Sequence, residues 1–264
     1  MPLQAILFDL DNTLLMEDAA TFAALRRAGA TAGGDADALA SAAAETAAEL
    51  FRDADIYAYA DRMGIWWGEA LWGAFAGDDP DLRAVRAFVP GFRLAVWATA
   101  LGTVGLDRGR AAALSAAYMT ARRADWAMDP AAPRTLDALA RRYTFALVTN
   151  GAPDVQREKL EGSGLASRFA TVVISGELGI GKPEPGIFAA AVERIGVPAS
   201  EAAMVGDSAE RDVAGARAAG LRTVWLDREG AGARSGADVH ITRLEDLAAA
   251  LDAMADAMPA ARSA

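Results

Sequence analysis

From residue 129 onward the sequence alternates short apolar runs with amphipathic stretches, and that alternation leaves few folds open. Residues 145–149, 171–175, 202–205 and 223–226 read as strands, with a shorter edge segment at 239–241. Helical stretches at 134–142, 154–161, 186–195 and 210–219 separate or precede them, and a last one covers 244–254. Gly220 supplies the stop for the fourth of these helices. Strands that are apolar throughout, rather than every second residue, are buried on both faces. Strands of that kind joined by helices specify a parallel sheet with helices on both sides. The tail from Pro259 to Ala264 reads as a frayed end.

One more apolar run, Ala5-Ile6-Leu7-Phe8, stands alone near the start. It is too short for a helix, and a lone strand cannot bury itself, so it must join the later sheet. Between them the pattern changes to alanine-rich helical segments, at about 19–28, 36–62, 65–75, 82–101 and 108–127. Gly33-Gly34, Gly64, Gly77-Asp78-Asp79-Pro80 and Gly105 punctuate these segments. The expected fold class is α/β: a Rossmann-like core of residues 1–15 and 129–264, with an all-helical module, 16–128, inserted after the first strand. That module holds Trp66, Trp67, Trp72, Trp97 and Trp126, five of the six tryptophans. Most fit helix-core packing. Adjacent Trp66 and Trp67 cannot share one helix face, so one of them is expected to face a cleft or a partner.

Ligands of open α/β sheets bind outside the carboxyl ends of the strands, so those ends are where chemistry is sought. The first strand runs into Asp9-Leu10-Asp11-Asn12-Thr13. Two carboxylates at i and i+2 point to one side if strand geometry persists, and each resists ionising beside the other. The next strand ends in Thr149-Asn150-Gly151, with Pro153 at a first helical position. A hydroxyl beside the free N–H groups of a helix start suits a phosphate. After the third strand comes Gly179-Ile180-Gly181-Lys182-Pro183, where the proline restricts Lys182 to extended geometry. The fourth ends in Gly206-Asp207-Ser208, with Asp212 one turn on. Singly, each of these is equally a turn, a solvated charge or a helix cap. Together they gather four carboxylates, a lysine and a hydroxyl at one sheet edge. Four acids there repel unless a hard divalent cation and Lys182 offset them.

Composition narrows that cation and the partners. The chain has no cysteine and a single histidine, His240, so thiolate and histidine-rich metal centres are excluded, and Mg²⁺ suits the oxygen ligands that remain. His240 lies far in sequence from the other motifs and reads as structural. A net charge of −10 without a basic cluster argues against nucleic acid and anionic membranes. The chain enters its first strand without a basic leader region, and the apolar stretch 94–106 is too short to span a bilayer. A cytoplasmic protein is expected; no residue pattern indicates an oligomeric state.

Asp9-Leu10-Asp11-Asn12-Thr13, Thr149, Lys182-Pro183 and Gly206-Asp207-Ser208 with Asp212 resemble, in order and separation, the four motifs of the haloacid dehalogenase (HAD) superfamily. The insertion after the first motif resembles its helical C1 cap, although it is longer than the usual four-helix form. The runs Leu147–Gly151 and Gly179–Phe188 are most similar to the subgroup of N-acylneuraminate-9-phosphatases and related 5′-nucleotidases. This resemblance implies a Mg²⁺-dependent phosphatase acting on a small-molecule phosphate monoester, a sugar phosphate or a nucleotide. It implies Asp9 as nucleophile forming an aspartyl-phosphate, and Asp11 as general acid and then general base. Mg²⁺ is implied at Asp9, the Asp11 backbone carbonyl and Asp207, with Asp212 and Ser208 supporting it from behind. Thr149, the Asn150 backbone and Lys182 are implied to hold the transferring oxygens, and Thr13 to brace the Asp9 loop.

Family dehalogenases lack the second aspartate, because halide leaves without a proton, so Asp11 favours phosphoryl transfer. A phosphomutase sharing all four motifs stays open, as do a 2-haloacid dehalogenase and a non-catalytic Mg²⁺-binding module. Loss of Asp9 or Asp11 would be the signature of the last, and both are present.

Overall fold

The protein is described here by a computed structural model that covers residues 2–230 and 235–256; the end expected to fray, Pro259–Ala264, lies outside the described residues. Six strands form one sheet: β1 (Ala5–Phe8), β2 (Thr144–Thr149), β3 (Thr171–Ile174), β4 (Ala202–Gly206), β5 (Arg222–Leu226) and β6 (Val239–Ile241). Their order is β3-β2-β1-β4-β5-β6, and every neighbouring pair is parallel. All four residues of β1 are buried, as a strand flanked on both edges and covered on both faces must be. Phe8 lies opposite Leu147 of β2 and Val205 of β4, so the acids after β1 emerge level with the ends of both neighbours. Chain order reverses across β1, which makes its carboxyl end the crevice where ligands of such sheets sit.

By proximity the chain divides into two compact units. One comprises Met1–Met16, Met128–Asn150 and Gly164–Ala264, and holds the sheet. The other comprises Glu17–Ala127 and Gly151–Ser163, and is helical. The helix Pro153–Gly162 therefore groups with the helical unit, where its Val155, Gln156 and Lys159 are buried.

Several expected helices have other limits. The stretch 36–62 is two helices, Ala36–Arg52 and Tyr57–Met63. Asp53 and Asp55 fall at the first one's carboxyl end, where acidic side chains oppose the helix dipole. The stretch 65–75 is helical only over Trp67–Ala70. Trp66 is extended there, so its ring packs on that of Trp67 at 4.9 Å, and both rings stay half-buried. Gly68 permits this, since a Cβ there would meet the Trp66 ring at 2.5 Å. The helix Pro80–Thr103 starts at the Asp79 cap, with Pro80 in the first turn. Its length and composition would allow it to cross a membrane, yet its Val85, Val89, Phe92, Val96 and Trp97 are buried within the helical unit. In the sheet unit, the expected helix 210–219 is a π-helical turn, Ala209–Ala214, followed by the α-helix Gly215–Ala218.

The helical unit encloses a charged cluster that its alanine-rich sequence does not announce. Glu17, Glu69, Arg122 and Lys159 are all buried. Lys159 Nζ lies 2.7 Å from a Glu69 oxygen and 3.4 Å from a Glu17 oxygen, and Arg122 donates to Glu17. The Gln156 amide also donates to Glu69, at 2.7 Å. The Arg122 guanidinium lies 5.2 Å and 5.3 Å from the ring centres of Trp72 and Trp126. Two acids and two bases balance, so removing one partner leaves a buried uncompensated charge. Lys159→Met is expected to cost about 3–5 kcal/mol of unfolding free energy, read from the shift in denaturant midpoint at constant slope.

Candidate active site

The site is assembled from the carboxyl ends of β1, β2 and β4 and from the loop after β3. Asp9 follows β1 directly, and its N–H donates to the Val205 carbonyl at 3.0 Å, continuing the ladder by one bond. The chain then leaves extended geometry: Leu14 and Leu15 both donate to the Leu10 carbonyl, and Asn12 is left-handed at φ 59°. Asp9 is buried and Asp11 is half-exposed, so the two acids meet different surroundings.

Lys182 reaches Asp9 from the loop after β3. Its ammonium lies 2.5 Å from Asp9 Oδ1 and 2.7 Å from Asp212 Oδ1, with all three side chains buried. The backbone of Lys182, joined to Pro183 by a cis peptide bond, is held by a two-way clasp. The Asn150 amide donates to the Lys182 carbonyl at 2.9 Å, and the Lys182 N–H donates to Asn150 Oδ1 at 2.8 Å. Sequence reasoning gave Asn150 only a backbone role; the clasp ties the end of β2 to the lysine. Thr149 is buried beside it. The Ser208 hydroxyl caps the turn by accepting from the Arg211 N–H, and the Ser208 N–H donates to Asp212 Oδ2 at 3.0 Å. Both Asp212 oxygens are thereby engaged. Thr13 braces its loop through the main chain: its carbonyl accepts from Arg228 at 2.8 Å.

Carboxylate oxygens of Asp9, Asp207 and Asp212 all lie within 4.8 Å of one another. Burial pushes the Asp9 carboxyl up to about 7; Lys182 opposes this, while Asp212 and Asp11 add to it. Burial likewise pushes Asp207 up to about 8, with Asp9 and Asp212 adding to it and Lys182 opposing. Burial also works against a charged Lys182, but Asp212 and Asp9 outweigh it and hold its ammonium pKa above the ordinary value. The donor set is all oxygen, buried at Asp9 and Asp212 and half-buried at Asp207, and when ionised it is more negative than one lysine can neutralise. These are the terms on which a hard divalent cation binds. The Asp11 carboxylate is not one of the three clustered groups.

Two further side chains were not singled out from the sequence. The Trp225 indole N–H donates to the Asp207 carbonyl at 2.8 Å. Arg228 donates to the carbonyls of Asn12 and Thr13. Both lie in or just beyond β5, so the strand-end logic applied to the other strands was the available signal. His240 stacks on Trp225 at 4.8 Å, with its Nε2 3.2 Å from Asp227.

The haloacid dehalogenase-like hydrolase family matches residues 3–220, and the chain belongs to that family. It is a phosphatase of the family. Phosphoserine phosphatase of Thermus thermophilus is 42% identical over 227 residues, covering 86% of this chain and 89% of that one. N-acylneuraminate-9-phosphatase of Mus musculus is 40% identical over 96 residues, 36% of this chain and 39% of that one. Among solved structures, 2-haloacid dehalogenase from Pseudomonas syringae pv. Tomato DC3000 aligns over 96% of this chain and 100% of its own. Its TM-score is 0.58 and its identity 26%.

Gly206 has no room for a side chain, because a Cβ there would meet the Asp212 carboxyl at 2.3 Å. Gly206→Ala is expected to displace Asp212, and with it Lys182, and to lower turnover on the order of 10²-fold. Phosphate release, measured beside an unchanged far-UV circular dichroism spectrum, checks this.

Proposed function

We propose that this phosphatase hydrolyses a small-molecule phosphate monoester, a sugar phosphate or a nucleotide, through an aspartyl-phosphate on Asp9, with Mg²⁺ as cofactor. The observation that carries the reading is the buried Asp9 carboxylate held against Lys182 beside Asp207 and Asp212, with a second, half-exposed acid two residues on.

An Asp9 oxygen attacks phosphorus while the bond from phosphorus to the leaving oxygen breaks, and Asp11 gives that oxygen its proton. Asp11 then takes a proton from water, whose oxygen attacks the phosphorus. Inorganic phosphate leaves and the Asp9 carboxylate is restored. Lys182, the Thr149 hydroxyl and the Asn150 backbone hold the phosphoryl oxygens through both displacements. Asp9, Asp207 and the Asp11 carbonyl would hold Mg²⁺, with Asp212 and Ser208 fixing the loop behind it; when bound, the ion supplies charge neutralisation and keeps Asp9 ionised. The clasp with Asn150 fixes the main chain from which the Lys182 side chain extends.

Residues 1–15 and 129–264 are assigned as the catalytic domain, and the helical module 16–128 as the cap that selects the leaving group. Two relatives named for phosphoserine and for an N-acylneuraminate support a small ester without choosing one. A net charge of −10 favours a diffusible ester over a nucleic acid polymer or a membrane surface.

The test is phosphate release from a panel of sugar phosphates, nucleoside monophosphates, phosphoserine and p-nitrophenyl phosphate, with Mg²⁺ and with EDTA. Release that needs Mg²⁺ is expected, and release undiminished by EDTA sinks the cofactor assignment. Asp9→Asn is expected to lower kcat by on the order of 10⁴-fold or more. Full turnover by that variant, with deamidation excluded by mass, removes the nucleophile. Asp11→Asn is expected to cost on the order of 10²–10⁴-fold on alkyl esters and less on p-nitrophenyl phosphate, whose leaving group needs no proton. Equal losses on both would contradict the acid role.

A further inference from the structure

The proposed chemistry asks more of Asp11 than of any other group, since it must give and then take a proton at one point in space. Yet Asp11 stands on a loop beyond the end of β1, where the sheet no longer holds the chain. The near end of that loop is fixed by the Asp9 N–H to Val205 bond. The far end is fixed by a side chain from elsewhere in the sequence.

Arg228 lies two residues past β5. Its Nε donates to the Asn12 carbonyl at 2.9 Å and its Nη2 to the Thr13 carbonyl at 2.8 Å. Nε and Nη2 form one edge of the rigid guanidinium fork, so the two carbonyls are taken together and in a set orientation. In an extended strand successive residues alternate in direction; the left-handed Asn12 is where this loop departs from that alternation. The same Nη2 lies 2.7 Å from Asp129 Oδ2. Asp129 is itself fixed: it is buried, its Oδ1 accepts from the Ala131 N–H at 2.7 Å, and its N–H donates to the Leu14 carbonyl at 2.9 Å. Three consecutive carbonyls are thus held by the two members of one ion pair: those of residues 12 and 13 by the Arg228 guanidinium, and that of residue 14 by the Asp129 main-chain N–H. Trp225, three residues before Arg228, holds the Asp207 carbonyl in the same manner. The end of β5 braces both acid-bearing loops and touches neither carboxylate through these bonds.

We propose that Arg228, anchored by Asp129, is a positioning residue that sets where Asp11 stands for proton transfer. This rests on the acid–base role given to Asp11 above. A lysine at 228 keeps the charge, but a point-like ammonium does not reproduce the two-pronged hold on consecutive carbonyls.

The test uses the full chain as wild type, Arg228→Lys, Asp129→Asn and, as control, Asp11→Asn. Hydrogen exchange is followed at the Leu14 and Leu15 amides, which both donate to Leu10. Values of kcat and KM are measured on p-nitrophenyl phosphate and on an alkyl phosphate monoester. For Arg228→Lys we expect at least tenfold faster exchange at these two amides, with the sheet amides unchanged. We also expect the ratio of alkyl to p-nitrophenyl kcat to fall at least tenfold, as in Asp11→Asn, with KM values within threefold of wild type. Asp129→Asn should move both readouts in the same direction. Unchanged exchange at the loop overturns the proposal, and so does an equal loss on the two esters, which is what a smaller folded fraction produces. If Asp11→Asn fails to separate the esters, the acid role itself falls. The exchange result then decides alone whether Arg228 holds the loop.

Discussion

A lysine ammonium buried between two carboxylates is the interaction on which the sheet unit depends. Taking Lys182 out of water is costly, and Asp9 and Asp212 repay that cost only if all three groups meet at hydrogen-bonding distance. The surrounding structure serves that meeting. The register of β1 between β2 and β4 brings Asp9 level with its neighbours' ends. The Asn150 clasp fixes the main chain from which Lys182 extends. The π-helical turn opened by Ser208 turns Asp212 inward, and Gly206 leaves it the room. Gly215 does the same for the other side of the loop, since a Cβ there would meet the Pro183 carbonyl at 2.6 Å.

The protein buries charge in two places, and the difference between them is informative. In the helical unit, Glu17 and Glu69 face Arg122 and Lys159, so acids and bases cancel. Such a cluster ties helices together and carries no excess charge. In the sheet unit, the carboxylates of Asp9, Asp207 and Asp212, when all ionised, exceed the one ammonium by two negative charges, with Asp9 and Asp212 buried and Asp207 half-buried. Burial and mutual repulsion hold Asp9 and Asp207 up at about 7 and about 8. An excess of two charges is what one divalent cation cancels. The imbalance, and not burial itself, separates a site from a structural network.

The sheet was legible because a parallel strand buried on both faces is apolar throughout, and a run such as Ala202–Val205 has few other readings. The acids were legible because strand ends in one sheet are brought together by topology, whatever the distance in sequence. Helix limits within 36–75 were not, because Trp66 leaves helical geometry to pack on Trp67, a tertiary choice that periodicity does not encode. The buried charges of the helical unit were also hidden. Glu17 and Lys159 look like surface residues until their partners, far away in sequence, are placed beside them. Arg228 is different: its place just past β5 was readable as a strand end, but its partners, two main-chain carbonyls and the distant Asp129, were not.

Asp9 and Asp11 show why spacing alone does not assign roles. Two acids at i and i+2 on a continuing strand would share one face and one environment, and nothing would set them apart. The chain avoids this by ending the ladder at Asp9 and turning through a left-handed Asn12. Asp9 stays in the buried cluster, against Lys182, while Asp11 is left half-exposed. Paired carboxylates divide labour when their surroundings differ. Here the main chain leaves the ladder between the two acids, and the carbonyls of residues 12 to 14 are held just beyond the second one. In the proposed chemistry, the geometry by which one acid would serve as nucleophile and the other as proton carrier is fixed by residues that react with nothing.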